Sequence, residues 1–162
     1  MNIRKAFVAG IIAGAAMILI MAATRALGGG GDLPMMLGTM PGNGPSGAAW
    51  FAGFVVIMIG SGIGGIAYGA TFEALARRAD AMTGVLLAIA PMAIEGLMLG
   101  FMDKMHPLIP QTMQSPGFFM SNHGPMGVIG FVVSHLAFGA IVGSLYGPLK
   151  AGAEATQTAM DE

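Results

Sequence analysis

Residues 6–24 read AFVAGIIAGAAMILIMAAT, an apolar run without a single charge. A helix over this stretch would be about 29 Å long at 1.5 Å per residue, which matches the hydrocarbon thickness of a bilayer. Three more runs of similar length follow: Phe51 to Phe72, Ala81 to Met102 and Met126 to Leu149. The second is uncharged, the third carries one acid, Glu95, and the fourth carries His135. The pattern predicts an all-α membrane protein with four transmembrane helices.

Composition points the same way. Of 162 residues, 55% are hydrophobic and 9% charged, and mean hydropathy is +0.75. A soluble domain carries about a quarter charged residues, so this chain lacks the polar side chains to cover a water-facing surface. The length fits a single transmembrane domain over residues 1–162, and no charge block marks a second one. A formal net charge of −1 gives no footprint for nucleic acid. There is no cysteine, which removes disulfides, thiolate metal sites and cysteine nucleophiles.

Between the runs lie two long stretches rich in Gly, Pro and Met, Arg25 to Ala49 and Asp103 to Pro125, and one short connection, Glu73 to Asp80. The tail from Lys150 to Glu162 is polar and is expected to fray. Arg4 and Lys5 ahead of the first run also suit a secretory signal peptide. Its length and the lack of a small-x-small cleavage site before Arg25 favour a retained helix. Arg4, Lys5, Arg77, Arg78 and Lys150 fall on one side of a four-span topology, against Arg25 and Lys104 on the other. The positive-inside rule then puts both termini in the cytoplasm and both long loops outside. Tyr68, Tyr146 and Trp50 fall near the predicted interfaces.

The two halves of the chain resemble each other. Gly60-Ser-Gly-Ile-Gly-Gly-Ile-Ala-Tyr-Gly69 parallels Phe138-Gly-Ala-Ile-Val-Gly-Ser-Leu-Tyr-Gly147, and Gly44-Pro-Ser-Gly47 parallels Gly124-Pro-Met-Gly127. Pro34 with Thr39-Met40 matches Pro107 with Thr112-Met113. The order of these matches, in loops as well as spans, predicts two tandem parallel helix-loop-helix repeats, residues 1–78 and 79–150. An even number of spans per copy implies a pseudo-twofold axis along the membrane normal.

Pairs of small residues four apart occur in every span: Gly10 and Gly14, Gly60 and Gly64, Gly65 and Gly69, Gly96 and Gly100, Gly139 and Gly143, Gly143 and Gly147. Such pairs let helix backbones approach closely where no hydrophobic drive joins helices. They are expected to pack helices within the chain, against a second copy, or against other membrane subunits.

Glu95 and His135 are the ionisable side chains within the spans. Each costs about 3 kcal/mol or more to bury, which makes an intramembrane group a functional candidate. Their depths agree to within a turn, so they can pair directly; a polar clasp between two helices is preferred to a proton relay, which would need more acids along a path than the inner half supplies. The loops hold a second set, in which His106, His123, Met113 and Met120 are the candidate metal ligands. Thioether and imidazole suit Cu(I). No tight Met-x-Met or His-x-His cluster occurs, and methionine also fills irregular gaps, so packing is the reading preferred for these residues. No cofactor is expected. His135 has no histidine counterpart near Val55 to Ile57 for a bis-histidine haem site. Gly28 to Gly31 lacks the Lys and Ser/Thr of a phosphate loop, and Ser61, Ser134 and Ser144 lack a base and its orienter. No enzyme is expected.

Phe7-Val-Ala-Gly-Ile-Ile-Ala-Gly14, Asp32-Leu-Pro-Met-Met-Leu-Gly38 and His135-Leu-Ala-Phe-Gly-Ala-Ile-Val-Gly-Ser-Leu-Tyr-Gly147 resemble a group of small four-span bacterial membrane proteins of unknown function. The resemblance implies a cytoplasmic (inner) membrane location and no established activity. That group often has a histidine in the second span, where this chain is apolar. The expected function is that of a non-catalytic accessory, structural or assembly subunit packing against a larger membrane complex. The alternative is a small-ligand or copper-handling protein that uses the outer Met/His loops.

Overall fold

In the computed structural model, which describes residues 1–147 and Leu149, four helices are long and apolar enough to cross a membrane. Among the described residues six α-helices occur in order: α1 Ile3–Ala26, α2 Leu33–Gly38, α3 Gly47–Thr71, α4 Ala81–Leu99, α5 Met102–Met105 and α6 Gly124–Tyr146. A π-helical turn, Phe72–Ala76, extends α3, and a 3-10 segment, Phe118–His123, precedes α6. There is no strand among the described residues. Such a chain has the make-up of a multi-pass membrane protein, since a helix satisfies its own backbone groups where water is absent.

Local signals set the helix ends, and several differ from the hydropathy boundaries. Asn2 starts α1 by accepting the Lys5 N–H, ahead of the predicted Ala6. Ser46 does the same through Ala49 N–H for α3, which begins at Gly47, four residues before Phe51. The π-helical turn carries α3 on to Ala76, into the connection expected at Glu73 to Asp80, and Arg77 ends it in the left-handed region at φ 55°. Asp80 caps α4 through Thr83 N–H. α4 stops at Leu99, short of the expected Met102, because Gly100 and Phe101 close tight turns onto Leu97 and Met98. α6 ends at Tyr146, short of Leu149: Gly147 takes φ +73°, a backbone geometry that ends the helix and that glycine adopts without a Cβ clash. The two stretches expected to be irregular contain α2 in one, and α5 with the 3-10 segment in the other. The expected frayed tail lies outside the described residues.

The packing follows the small residues. A Cβ on Gly10 would overlap the Ser61 carbonyl and Gly65, and one on Gly65 would overlap the Ala6 carbonyl, so α1 and α3 touch backbone to backbone. α4 and α6 meet in the same manner, with Gly84 against the Gly139 carbonyl and Gly143 against the Asp80 carbonyl. α1 also packs along α6, whereas α3 and α4 do not pack against each other. The lateral order is therefore α3, α1, α6, α4, open on one side. A closed twofold bundle would pair α3 with α4 as it pairs α6 with α1, and that fourth interface is not formed.

Two buried clusters mark the ends of the bundle. Ala6, Ala9, Ala13, Phe72, Val142 and Tyr146 gather at the end that holds the start of α1 and the end of α6. There the Tyr146 hydroxyl donates to Glu73 and accepts the Asn2 N–H. Met21, Met36, Leu99, Ile109, Met120 and Phe131 gather at the other end, under the two long loops.

Candidate functional site

Glu95 of α4 and His135 of α6 meet at 3.1 Å between Oε2 and Nε2. The Nδ1 of His135 lies 2.8 Å from the Phe131 carbonyl, which only accepts, so Nδ1 carries a proton. A single further proton then lies between Nε2 and Oε2. It resides either on the histidine, giving an ion pair, or on the carboxyl, giving a neutral pair. His135 is buried, while the Glu95 side chain retains 58% of its surface exposed.

The uncovered face of Glu95 borders a cavity of about 450 Å³. It lies between Gly60, Gly64 and Tyr68 of α3 and Pro91, Glu95 and Met98 of α4, where those helices fail to pack. Its lining is chiefly apolar and includes Met17, Met21, Met36, Met98, Met102 and Met120. This cleft combines a hydrocarbon-like wall with the Glu95–His135 pair and the hydroxyl-bearing side chains of Tyr68 and Ser61. It has the chemistry to hold an apolar group that also carries a hydrogen-bond donor.

The two loops close over the other side of this cavity. His106 is almost wholly buried (3% exposed). Its Nδ1 accepts the Leu108 N–H at 3.1 Å, so Nε2 carries the proton and donates to the Met36 carbonyl at 2.8 Å, with Thr39 Oγ1 at 3.2 Å. Both nitrogens are thus engaged, and no lone pair is left for a metal. The histidine predicted as a candidate ligand works as a clasp between the loops. His123, Met113 and Met120 come together instead around a smaller cavity of about 190 Å³, joined by Met36. Phe119 and Met120, just before α6, take left-handed backbone angles, φ 53° and 63°. For residues with a Cβ, that conformation costs about 1–2 kcal/mol each, and here it turns Met120 inward until 1% of it is exposed.

The predicted packing glycines divide into groups. Gly10, Gly65, Gly139 and Gly143 approach a neighbouring backbone, and Gly14 approaches the Ser61 side chain. Gly69 lies against Ala6 and the Tyr146 ring, and Gly147 beside Lys5. Gly96 and Gly100 receive the rings of Phe119 and Phe118 from the loop rather than another helix. Gly64 faces Phe138 at ordinary contact distance, and Gly60 has open space beside it. Sequence reading missed Gly84 and also Gly38 and Gly53, whose backbones join α2 to α3. The spacing Gly84-x-x-x-Ala88 carried the same small-residue signal and could have revealed the first.

No protein-family model, curated protein or solved structure matches this chain. The function has to be read from the site itself.

Proposed function

We propose that this chain is a non-catalytic accessory or assembly subunit of a larger complex in the bacterial cytoplasmic membrane, with both termini cytoplasmic. On this reading, a transmembrane segment of the partner enters the cleft between α3 and α4. The supporting observation is Glu95: a carboxyl within a membrane-spanning helix, more than half uncovered and hydrogen-bonded on one side by His135. Leaving such a group facing lipid costs about 3 kcal/mol or more. A partner helix that presents a donor at that level removes the cost. Most glycines of the chain already serve contacts within it, which leaves the cleft, with Gly60 and Gly64 on its wall, as the surface for a further helix.

The same reading takes the chain as two tandem copies of a hairpin. The like pairing of Gly10 with the Ser61 carbonyl and of Gly84 with the Gly139 carbonyl supports this. In a duplicated hairpin the missing α3–α4 interface is the symmetry mate of α1–α6, and the partner helix would fill it.

Purification of the full chain in mild detergent, followed by mass spectrometry, tests the reading. A fixed set of larger membrane subunits is expected with the native protein. Gly60→Leu with Gly64→Leu fills the cleft without entering the α1–α3 contact, and is expected to release them. Retention of every partner by that variant would sink the proposal.

A further inference from the structure

The loops carry their own site, distinct from the cleft. The 190 Å³ cavity beneath them is bordered by Met36 from the first loop, Met113 and Met120 from the second, and His123 at the start of α6. These residues are up to 87 positions apart (123 minus 36) and come together because the His106–Thr39 clasp holds the loops against each other. We propose that this cavity binds a soft monovalent metal ion of the Cu(I) class through the thioethers of Met36, Met113 and Met120 and the imidazole of His123.

The donor set selects the ion. Thioether sulfur and neutral imidazole are poor ligands for Mg²⁺ or Ca²⁺ and good ones for Cu(I). A thioether sulfur has two lone pairs, so the Thr39 hydroxyl, 3.4 Å from Met113 Sδ, engages at most one of them and leaves the other for a metal. His123 and Gly31 pack against each other at the cavity wall, where a Cβ on Gly31 would stand 3.0 Å from Nε2 and glycine alone fits without displacing the ring. Asp32 also borders the cavity, but its carboxylate is engaged by Arg25 and by the Met35 N–H, so it is left out of the ligand set. Met36 and Met120 face the larger cavity as well, so a thioether lining continues from the loops towards Glu95 and His135.

Methionine that only packs would be replaced by leucine without consequence for metal, because the two side chains have similar volume. The full chain, purified in detergent, is titrated with Ag(I), a redox-stable probe for Cu(I) sites, and then with Cu(I) against a chromophoric chelator. One ion per chain is expected. Met113→Leu, Met120→Leu and His123→Ala are each expected to weaken binding by at least about tenfold, with the helical circular dichroism unchanged. Met105→Leu, at an exposed position off the cavity, is expected to bind as the native protein does. X-ray absorption of the copper-loaded protein should show sulfur and nitrogen neighbours. Absence of stoichiometric binding, or binding undiminished in the Met113→Leu and Met120→Leu variants, overturns the proposal. Neither result bears on the cleft, whose test uses Gly60 and Gly64.

Discussion

Thr39 of the first loop and His106 of the second stand 3.2 Å apart in the buried layer beneath the loops, and their contact ties one half of the chain to the other. His106 also donates to the Met36 carbonyl and accepts from Leu108 N–H. His106→Ala removes all three partners at once from a site that excludes water. A loss of about 1–3 kcal/mol is expected, the cost of leaving buried polar groups unmade. Thermal unfolding in detergent measures it, and hydrogen exchange should show the loops opening before the four long helices. An unchanged midpoint would show that the clasp holds nothing.

Backbone-to-backbone contact makes Gly10 and Gly84 intolerant of a single methyl. Gly10→Ala and Gly84→Ala drive a Cβ into a carbonyl oxygen of the facing helix, which has no rotamer by which to yield. Each is expected to destabilise by about 1–3 kcal/mol. Gly60→Ala enters open space and should stabilise slightly, by up to about 1 kcal/mol from helix propensity. Reversible unfolding in mixed micelles compares the three. Equal effects at all three positions would contradict the packing described.

The Glu95–His135 pair is suited to a double-mutant cycle. Hydrogen bonds between transmembrane helices couple by about 0.6 kcal/mol on average, and rarely by more than about 1.7. The Glu95–His135 contact should fall in that range. The cycle with Glu95→Gln, His135→Asn and the double variant measures the coupling. A coupling near zero would show that the contact does not tie the two helices together.

At the start of α4, Arg78 bonds the Asp80 carboxylate at 2.7 Å, and Thr83 N–H adds a second bond. These bonds pull the Asp80 carboxyl down from the ordinary 3.8 to about 2. The folded pKa is lowered, so the stabilisation is complete above the unfolded value and fades as pH falls from about 4 towards 2. Asp80→Asn keeps a capping oxygen and removes the ion pair. Its unfolding midpoint should therefore vary less across that acid window than the native protein's. A parallel acid response in both proteins would refute the assignment.

How much of this was legible in the residues varies with the feature. Glu95 and His135 stood out because ionisable groups inside apolar runs are few, and counting residues along two helices places them at similar depths. The glycine pairs stood out by spacing, yet spacing does not say what fills the gap: Gly96 and Gly100 accept phenylalanine rings, while Gly10 accepts a backbone. The roles of His106 and His123 were not distinguishable, since both are histidines in a Met-rich loop. A hydrogen bond from Leu108 and a carbonyl from Met36 separate them.

Residues 6–24 and their three counterparts determined on their own that the chain would form four long apolar helices. Helix formation in hydrocarbon is a local matter: each segment must satisfy its own N–H and C=O groups, and length and polarity suffice to identify it. Only the tertiary structure decided which helices touch, that α3 and α4 stay apart over a cleft facing Glu95, and that Met36, Met113, Met120 and His123 share one cavity. Those outcomes depend on carbonyls and side chains from distant parts of the chain meeting within a few ångströms, and no local pattern of residues encodes that.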